Sequence, residues 1–402
     1  MRIYLIQPVM KITTILAACL LAACVLISEG CKKTDQTVKM GQTTVPACDP
    51  VQLFSTPADS TYIVMLRGAD SQSGSVQELG RSTTAVSAIL SRYAIRNNQP
   101  VSILNSIHSG FITRLTRNQA LALKQDQDVE LVEQDRVITL EKGCFELVSP
   151  SSVQWGARRT GIADGTGKRV WIIDTGVDTD HPDLDVDTIL SKCFVNGETS
   201  VEDNNGHGTH VAGIIGALNN SIGVVGVAFG TKIIALKALN NDGEGSTSQL
   251  IQALNYVGQN ARAGEVVNMS LGTDTISPAL DNAVLTLAER GILFAIAAGN
   301  KSENANLSSP GRVNHPNVFT VSAIDSLGRF ASFSNFGSDV DFAAPGVRII
   351  STYSNGRYAQ LSGTSMAAPH VAGILVIEGT NIHSRGTALN DPDAVPDPIA
   401  SF

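Results

Sequence analysis

The stretch GTSMAAPHVAG, residues Gly363–Gly373, is the part of the chain that decides the fold. It places Ser365 at a glycine-flanked bend, and the small residues after the serine suit the first turn of a buried helix. A serine there lies in the positive field of the helix N-terminus, where free backbone N–H groups help to hold an oxyanion. Pro369 is compatible with this turn, because a proline in the first turn removes an N–H that has no partner. Since Gly-x-Ser is a common pattern, the interpretation needs support from other segments.

Two other segments supply what a nucleophilic serine needs. Val170–Gly176 is an apolar run of strand length that ends in Asp174 and a glycine turn, as in a parallel strand buried on both faces. Open α/β sheets carry their chemistry beyond the carboxyl ends of such strands. Asn205–Gly213 places His207 at the start of another helix rich in small residues. A serine needs a base and the base needs an acid that fixes its tautomer, so Asp174, His207 and Ser365 predict an acyl-transfer site.

These segments resemble the Asp, His and Ser boxes of the subtilisin-like serine endopeptidases, in that family's order along the chain. The resemblance runs from about Trp155 to about Gly373. It implies an α/β fold with a mostly parallel central sheet and helices on both faces. It also implies hydrolysis of peptide bonds through an acyl-enzyme, with no cofactor for catalysis. Asn300, which follows an apolar strand-like run, is implied as a donor to the developing oxyanion beside the Ser365 N–H.

The resemblance also indicates how polypeptide substrates bind. Glycines beside the cleft let an extended peptide approach and pair as an added strand. Because main-chain pairing of this kind accepts any sequence, we expect an endopeptidase of broad specificity. The implied substrate-binding residues are Gly243, Gly245, Ser270, Leu271, Gly272, Ala298 and Gly299.

A structural calcium ion is a further implication of the resemblance. The segment Leu218–Val224, which follows the His207 helix, resembles the strong calcium loop of the family. Calcium takes roughly six to eight oxygen ligands from carbonyls, amides and carboxylates. One ligand stays unassigned, with Ser151 and Gln154 as candidates. The implied ligands are the carbonyls of Leu218, Ile222 and Val224, the side chain of Asn220 and the carboxylate of Asp183.

Two other classes of protein compete with this interpretation. A metal-dependent hydrolase is disfavoured, because His207 and His210 are three residues apart and not the i, i+4 pair of zinc peptidases. We therefore interpret His210 as a structural histidine. A binding or scaffold lipoprotein that has lost turnover is the other alternative, and the intact set of catalytic residues argues against it.

Composition is consistent with a folded, exported protein. The chain has 402 residues, with 43% hydrophobic and 16% charged, so a large core is feasible for about two domains and leader segments. The formal net charge is −8 and no cluster of Lys or Arg is present, which excludes a nucleic-acid partner. We expect a monomer.

Residues 1–31 are typical of a signal peptide, with Lys11 before the uncharged apolar run Ile12–Ile27. Leu16–Cys19 and Leu21–Cys24 both resemble the bacterial lipoprotein processing box, so a lipid anchor and free secretion both remain open. Either way the chain is predicted to leave a bacterial cell, as an extracellular or envelope protein whose one membrane contact would be that anchor. In such a compartment a disulfide between Cys144 and Cys193 is feasible.

A small module precedes the main domain. After a polar linker (32–57), residues 58–140 have strand and helix patterns in the order β-α-β-β-α-β, which is that of a ferredoxin-like α+β fold. Thr116–Gln119 is a capping box that opens the second helix. The module resembles the subtilisin propeptide, an intramolecular chaperone and inhibitor. We expect self-cleavage within Ile138–Ser152, a peptidase domain over 150–378 and an irregular tail over 379–402.

Overall fold

The computed structural model describes residues 49–67, 76–95, 102–141, 143, 145–150 and 153–402. The predicted signal peptide, most of the predicted linker and Cys144 lie outside these residues, and so does the proposed disulfide. Within the described part of the chain, no helix has both the length and the apolar character that crossing a bilayer requires.

The N-terminal module, residues 52–141, has the β-α-β-β-α-β order that the sequence predicts. Thr116 caps its second helix through the predicted box, with the Gln119 N–H donating to the Thr116 hydroxyl. The module's antiparallel sheet has the order β4-β1-β3-β2. Its elements are β1 (Gln52–Leu66), α1 (Val76–Arg92), β2 (Ser102–Leu104), β3 (Gly110–Arg114), α2 (Arg117–Leu123) and β4 (Val129–Glu141).

The linker prediction is wrong at its C-terminal end. Strand β1 begins at Gln52, and its first residues pair antiparallel with the last residues of β4, from Gln52 opposite Glu141 to Pro57 opposite Arg136. The composition of this segment did not indicate the strand, because its pairing with the distant β4 leaves no local sequence pattern. Strand β4 correspondingly continues to Glu141.

The main domain is an α/β layer structure, as the resemblance implied. Its elements are β5 (Glu146–Val148), α3 (Trp155–Thr160), β6 (Ala163–Asp164), β7 (Arg169–Asp174), β8 (Lys192–Cys193), α4 (His207–Gly216), β9 (Ala228–Phe229), β10 (Lys232–Lys237), β11 (Glu244–Ser246), α5 (Thr247–Asn260), β12 (Val266–Met269), α6 (Pro278–Glu289), β13 (Leu293–Ala297), a 3-10 turn (Ala305–Leu307), β14 (Val318–Ile324), β15 (Phe342–Pro345), β16 (Ile349–Tyr353), β17 (Arg357–Leu361), α7 (Thr364–Glu378), β18 (His383–Thr387) and β19 (Pro398–Ser401).

The central sheet has the strand order β18-β19-β15-β14-β13-β12-β7-β10-β8. Neighbours from β8 to β19 are parallel. Strand β7 lies between β10 and β12, so the chain forms β10 on one side of β7 and later forms β12 on its other side. Such a switch point opens a crevice at the carboxyl ends of the strands. Helices α4 and α7 pack together against the sheet, and α5 packs on α6.

The C-terminal segment also differs from the prediction of an irregular tail. It forms strands β18 and β19, and Ile399 of β19 pairs parallel with Ala343 of β15. Ile399 and Ala400 are buried. The Asp- and Pro-rich run that suggested a tail lies between the two strands.

The N-terminal module contacts the main domain through two carboxylates. Glu133 accepts hydrogen bonds from the Ser277 hydroxyl at 2.5 Å and the Ala279 N–H at 2.9 Å, at the start of α6. Asp135 accepts from the N–H of Ser248 at 2.9 Å and from its hydroxyl at 2.6 Å, at the start of α5. Negative charge is favourable at a helix N-terminus, where N–H groups lack partners. The module therefore caps two helices of the domain beside it.

Candidate active site

Asp174 ends β7 at the switch point of the sheet and is fully buried. Its Oδ1 lies 2.7 Å from Nδ1 of His207 and also accepts the Thr175 N–H at 2.7 Å. The backbone bond fixes the carboxylate, and the carboxylate fixes the imidazole. This contact is the acid–base pair that the sequence predicts.

His207 is the first residue of α4 and is buried. The turn before it requires glycine, because Gly206 has φ 103° and a Cβ there would lie 2.3 Å from the ring of Tyr353. With Nδ1 held by Asp174, the proton of the neutral imidazole is on Nδ1 and Nε2 is the basic nitrogen. Among the described residues Nε2 has no hydrogen-bond partner.

The pKa of His207 is raised above its ordinary value. Burial is the largest influence and lowers it, but the charge of Asp174, the hydrogen bond to Asp174 and the charge of Asp203 together outweigh burial. A raised pKa makes the imidazole a stronger proton acceptor and moves the loss of its basic form to higher pH.

Ser365 lies in the first turn of α7, where small residues pack it into the core. Its hydroxyl donates to the carbonyl of Ser270 at 3.0 Å. The hydroxyl of Ser270 in turn donates to the carbonyl of Ser365 at 2.8 Å. Pro369 lies inside the helix and not in its first turn, contrary to the prediction. It has no N–H for the Ser365 carbonyl four residues earlier, and Ser270 supplies the missing donor.

The predicted bond between Ser365 and His207 is not formed in this structure. The serine hydroxyl is directed to Ser270, while Nε2 of His207 is unpaired among the described residues. Both side chains border cavities that Val51 also lines. Rotation about the single Cα–Cβ bond of the serine redirects its hydroxyl without a backbone change.

Asn300 presents its side-chain amide to the cleft. Its Oδ1 accepts both the N–H of Thr364 at 2.8 Å and the Thr364 hydroxyl at 2.9 Å. These two bonds fix the orientation of the amide, so that Nδ2 is its donor toward the cleft. That Nδ2 donates to the carbonyl of Val51 at 2.6 Å. The preceding Gly299 has φ 107°, and a Cβ there would lie 2.4 Å from the Asn335 amide. A peptide carbonyl thus occupies the predicted oxyanion donor.

The predicted substrate-binding glycines lie beside β4. Strand β11 pairs antiparallel with β4, with Gly245 opposite Ile138. The N–H of Leu140 donates to the Gly243 carbonyl at 2.9 Å, and a Cβ on Gly243 would come within 2.4 Å of the Leu140 carbonyl. The chain's own β4 is therefore bound as an added strand at this edge.

A pocket of about 520 Å³, partly open to solvent, adjoins Ser365. Lys301 and Asp274 form an ion pair of 2.8 Å at this pocket. Backbone and small side chains dominate the remainder, which leaves room for a large apolar side chain. The predicted positions that line it are Ser270, Leu271, Gly272, Ala298 and Gly299.

The predicted calcium loop folds around Asp183. This carboxylate is fully buried, its Oδ1 has no partner among the described residues, and its Oδ2 accepts the Val224 N–H at 3.0 Å. Burial raises the pKa of Asp183. Gly223 has φ 57°, and a Cβ there would lie 2.3 Å from Asp183 Oδ2. An orphaned carboxylate oxygen beside a loop of carbonyls fits a bound calcium ion. Ser151 lies outside the described residues.

A second histidine of helix α4, His210, has the structural role that the sequence predicts. His210 is buried, and its Nε2 lies 3.1 Å from the carbonyls of both Ile349 and Ala359. Burial lowers the pKa of His210 to about 3, so the ring is neutral and structural.

Asp203 is the residue that sequence reasoning missed. It is buried and accepts the N–H groups of Gly206 and Thr209 at 2.9 Å, and the Thr175 hydroxyl at 2.9 Å. It therefore links the turn before His207 to the residue after Asp174. The sequence offers little signal for this role, because Asp203 lies three residues before Gly206, which is the capping position of α4.

The fold and the site define a class of α/β proteins that carry an Asp, a His and a Ser at the carboxyl edge of a parallel sheet. Residues 165–378 match the family model described as the subtilase family, and residues 61–141 match the one described as peptidase inhibitor I9. The chain belongs to the subtilase family.

Individual relatives agree with this assignment. The chain is 43% identical to M-protease of Shouchella clausii (strain KSM-K16) over 62% of this chain and 66% of that protein. It is 46% identical to subtilisin BL of Lederbergia lenta over 55% of this chain and 82% of that protein. A cold adapted subtilisin-like serine proteinase of known crystal structure has a TM-score of 0.54 and 34% identity, covering 61% of this chain and 97% of that chain. The chain spans about two thirds of the length of the first curated relatives that it matches.

Proposed function

We propose that the protein is a serine endopeptidase of broad specificity, made as a precursor that its N-terminal module inhibits and that it processes itself. The 2.7 Å contact between Asp174 and His207 carries this proposal, because His207 lines a cavity that shares Val51 and Leu140 with the cavity lined by Ser365. The contact supplies a base of fixed tautomer whose Nε2 has no hydrogen-bond partner in the part of the chain that the structure describes.

The first chemical step is attack on a peptide carbonyl. The Ser365 hydroxyl turns from the Ser270 carbonyl to Nε2 of His207, gives up its proton and forms a bond to the carbonyl carbon. Asn300 Nδ2 and the Ser365 N–H donate to the resulting oxyanion. His207 then passes the proton to the leaving amine, and Asp174 stabilises the imidazolium meanwhile. Water repeats the sequence on the acyl-enzyme and releases the acid.

Substrate binding follows from the way β4 is held. An extended peptide would pair with β11 through Gly243 and Gly245 and place one side chain in the pocket beside Ser365. This pairing uses main-chain groups, which supports broad specificity. The junction that is cut lies within Ile138–Ser152, which covers the end of β4 and the residues that follow it.

A calcium ion would be held by the side chains of Asp183 and Asn220 and by the carbonyls of Leu218, Ile222 and Val224. It would supply charge compensation for a buried carboxylate and hold the loop, and it has no part in the chemical steps. We also propose that the chain is exported from a bacterial cell and is a monomer. The mass of its N-terminal fragment would distinguish a lipid-anchored protein from a freely secreted one.

The test is labelling of the purified protein with a serine-reactive fluorophosphonate, together with the size of the chain on a denaturing gel. We expect label on the wild type and a precursor that stays uncut and unlabelled in Ser365→Ala. Equal labelling of both proteins, or processing of Ser365→Ala expressed alone, would contradict the proposal.

A further inference from the structure

Val51 and the first residues of β1 (Gln52–Thr56) lie in the cleft beside β4, and Val51–Thr56 are together called the flank strand. Val51 is 3% exposed. Its carbonyl accepts from Asn300 Nδ2 at 2.6 Å, and its N–H donates to the Ser362 carbonyl at 3.2 Å. The side-chain amide of Gln52 donates to the Asn300 carbonyl at 3.1 Å. The flank strand, and not β4, therefore holds the oxyanion donor.

Side chains further along the flank strand also contact the domain. The Lys301 ammonium lies 5.1 Å from the centre of the Phe54 ring, and the Ser55 hydroxyl donates to Asp274. Lys301 and Asp274 are the ion pair at the pocket beside Ser365. The flank strand is thus attached along the rim of the substrate pocket as well as at the oxyanion donor.

The chain direction of the flank strand is opposite to that of a substrate. Strand β4 leads directly to the junction, so its direction on β11 is the direction in which a peptide is presented for cleavage. The flank strand is antiparallel to β4, with Gln52 opposite Glu141 and Thr56 opposite Val137. A carbonyl at the oxyanion donor therefore belongs to a chain that runs backwards through the cleft.

Reversed direction makes the contact unproductive. Acyl transfer needs the nitrogen that follows the attacked carbonyl to face His207, which must protonate it. The residue that follows Val51 is Gln52, whose side chain bonds Asn300, and His207 Nε2 has no partner among the described residues. Among the described residues, no hydrogen bond therefore joins His207 to the nitrogen that follows the Val51 carbonyl.

We propose that the flank strand is a second inhibitory element of the precursor, separate from β4, and that it must withdraw before the junction is cut. This inference rests on the proposed peptidase function. The flank strand, Val51–Thr56 of the same chain, binds in reversed direction. The surface that it covers consists of the oxyanion donor Asn300 and the rim of the substrate pocket.

The test is the rate of self-processing of full precursors made by cell-free synthesis and sampled over time on gels. Val51→Pro removes the N–H that bonds Ser362, and Gln52→Ala removes the side chain that bonds Asn300. Thr56→Ala, an exposed position on the same strand, is the matched control. We expect each of the first two precursors to be processed about fivefold faster than wild type, the effect of one lost hydrogen bond, and the control to match wild type.

Equal processing of all four precursors, or slower processing of the first two, would overturn the proposal. To exclude a folding defect, the same substitutions are placed in the Ser365→Ala precursor, where we expect thermal unfolding of Gln52→Ala within a few degrees of its parent. Failure of the peptidase function looks different, because then wild type stays uncut and unlabelled by fluorophosphonate, and both proposals are wrong.

Discussion

Ser270 and Ser365 exchange two hydrogen bonds across the cleft. The Ser365 hydroxyl donates to the Ser270 carbonyl, and the Ser270 hydroxyl donates to the Ser365 carbonyl. The second bond exists because Pro369 lacks the N–H that a helix would offer to residue 365. Ser270 thus repairs the helix that carries Ser365 through its side chain, and through its carbonyl it holds the resting position of the Ser365 hydroxyl next to the pocket.

Ser270→Ala should destabilise the protein by about 1–3 kcal/mol, because it leaves a buried carbonyl at residue 365 without a donor. Denaturant unfolding of the precursor in the Ser365→Ala background, which cannot digest itself, measures this loss. The matched control is Ser270→Ala combined with Pro369→Ala, where the new N–H at residue 369 supplies the missing bond. If the double variant is no more stable than Ser270→Ala alone, the repair role is wrong.

Asp203→Asn should move the acidic limb of the pH profile of kcat/KM to lower pH. The charge of Asp203 contributes to the raised pKa of His207, although burial and Asp174 act on it more strongly. Without that charge the imidazole loses its proton at lower pH, so the basic form persists further into acid. The profile is measured on the processed enzyme with a peptide substrate.

The control for Asp203→Asn is Glu202→Gln, which removes the neighbouring charge that bonds Thr179 at 2.8 Å. We expect an unshifted acidic limb in this variant. A limb that stays in place in Asp203→Asn, or that moves equally in both, would show that Asp203 acts only on stability.

Local signals were sufficient to predict the sheet and to select the candidate catalytic residues that lie near its carboxyl edge. Asp174, His207 and Ser365 each follow or open an element whose apolar pattern is evident over a few residues. The position of Asn300 was equally accessible, because it closely follows the buried strand β13. The resemblance supplied the roles, and the pairing of strands placed the residues on one edge.

Contacts between distant segments could not be predicted in the same way. Nothing around Val51 indicates that its carbonyl meets Asn300, about 250 residues away. The hydroxyl of Ser270 was assigned to substrate binding, and its bond to the helix of Ser365 depends on a register that the sequence does not show. Asp203 lies three residues before the capping position of α4, and only the fold reveals that it bonds both Thr209 and Thr175.

Removal of calcium should shorten the half-life of the enzyme at elevated temperature, and Asp183→Asn should abolish that response. Calcium at 100 to 1,000 times its Kd would stabilise the fold by about 3–4 kcal/mol. Burial raises the pKa of Asp183, so without calcium the fold favours the protonated carboxyl group. In chelator the stability of the fold should therefore fall as pH rises from the ordinary pKa of a carboxyl group through the raised pKa of Asp183. The uncharged variant avoids this penalty and should survive in chelator at least as well as wild type. An equal loss of half-life on chelation in both proteins would place the ion elsewhere.

Glu133→Ala and Asp135→Ala should each weaken the attachment of the N-terminal module by about 0.5–2 kcal/mol, since each carboxylate caps a helix of the main domain. Thermal unfolding of the Ser365→Ala precursor measures the loss, and Glu130→Ala in the same strand is the control. Burial raises the pKa of both carboxyl groups, so attachment takes up protons and should weaken as pH rises through the range between the ordinary and the raised pKa. Both Ala variants should lose that part of the pH dependence. A control as damaging as the two variants would mean that the module is held by its apolar contacts and not by the caps.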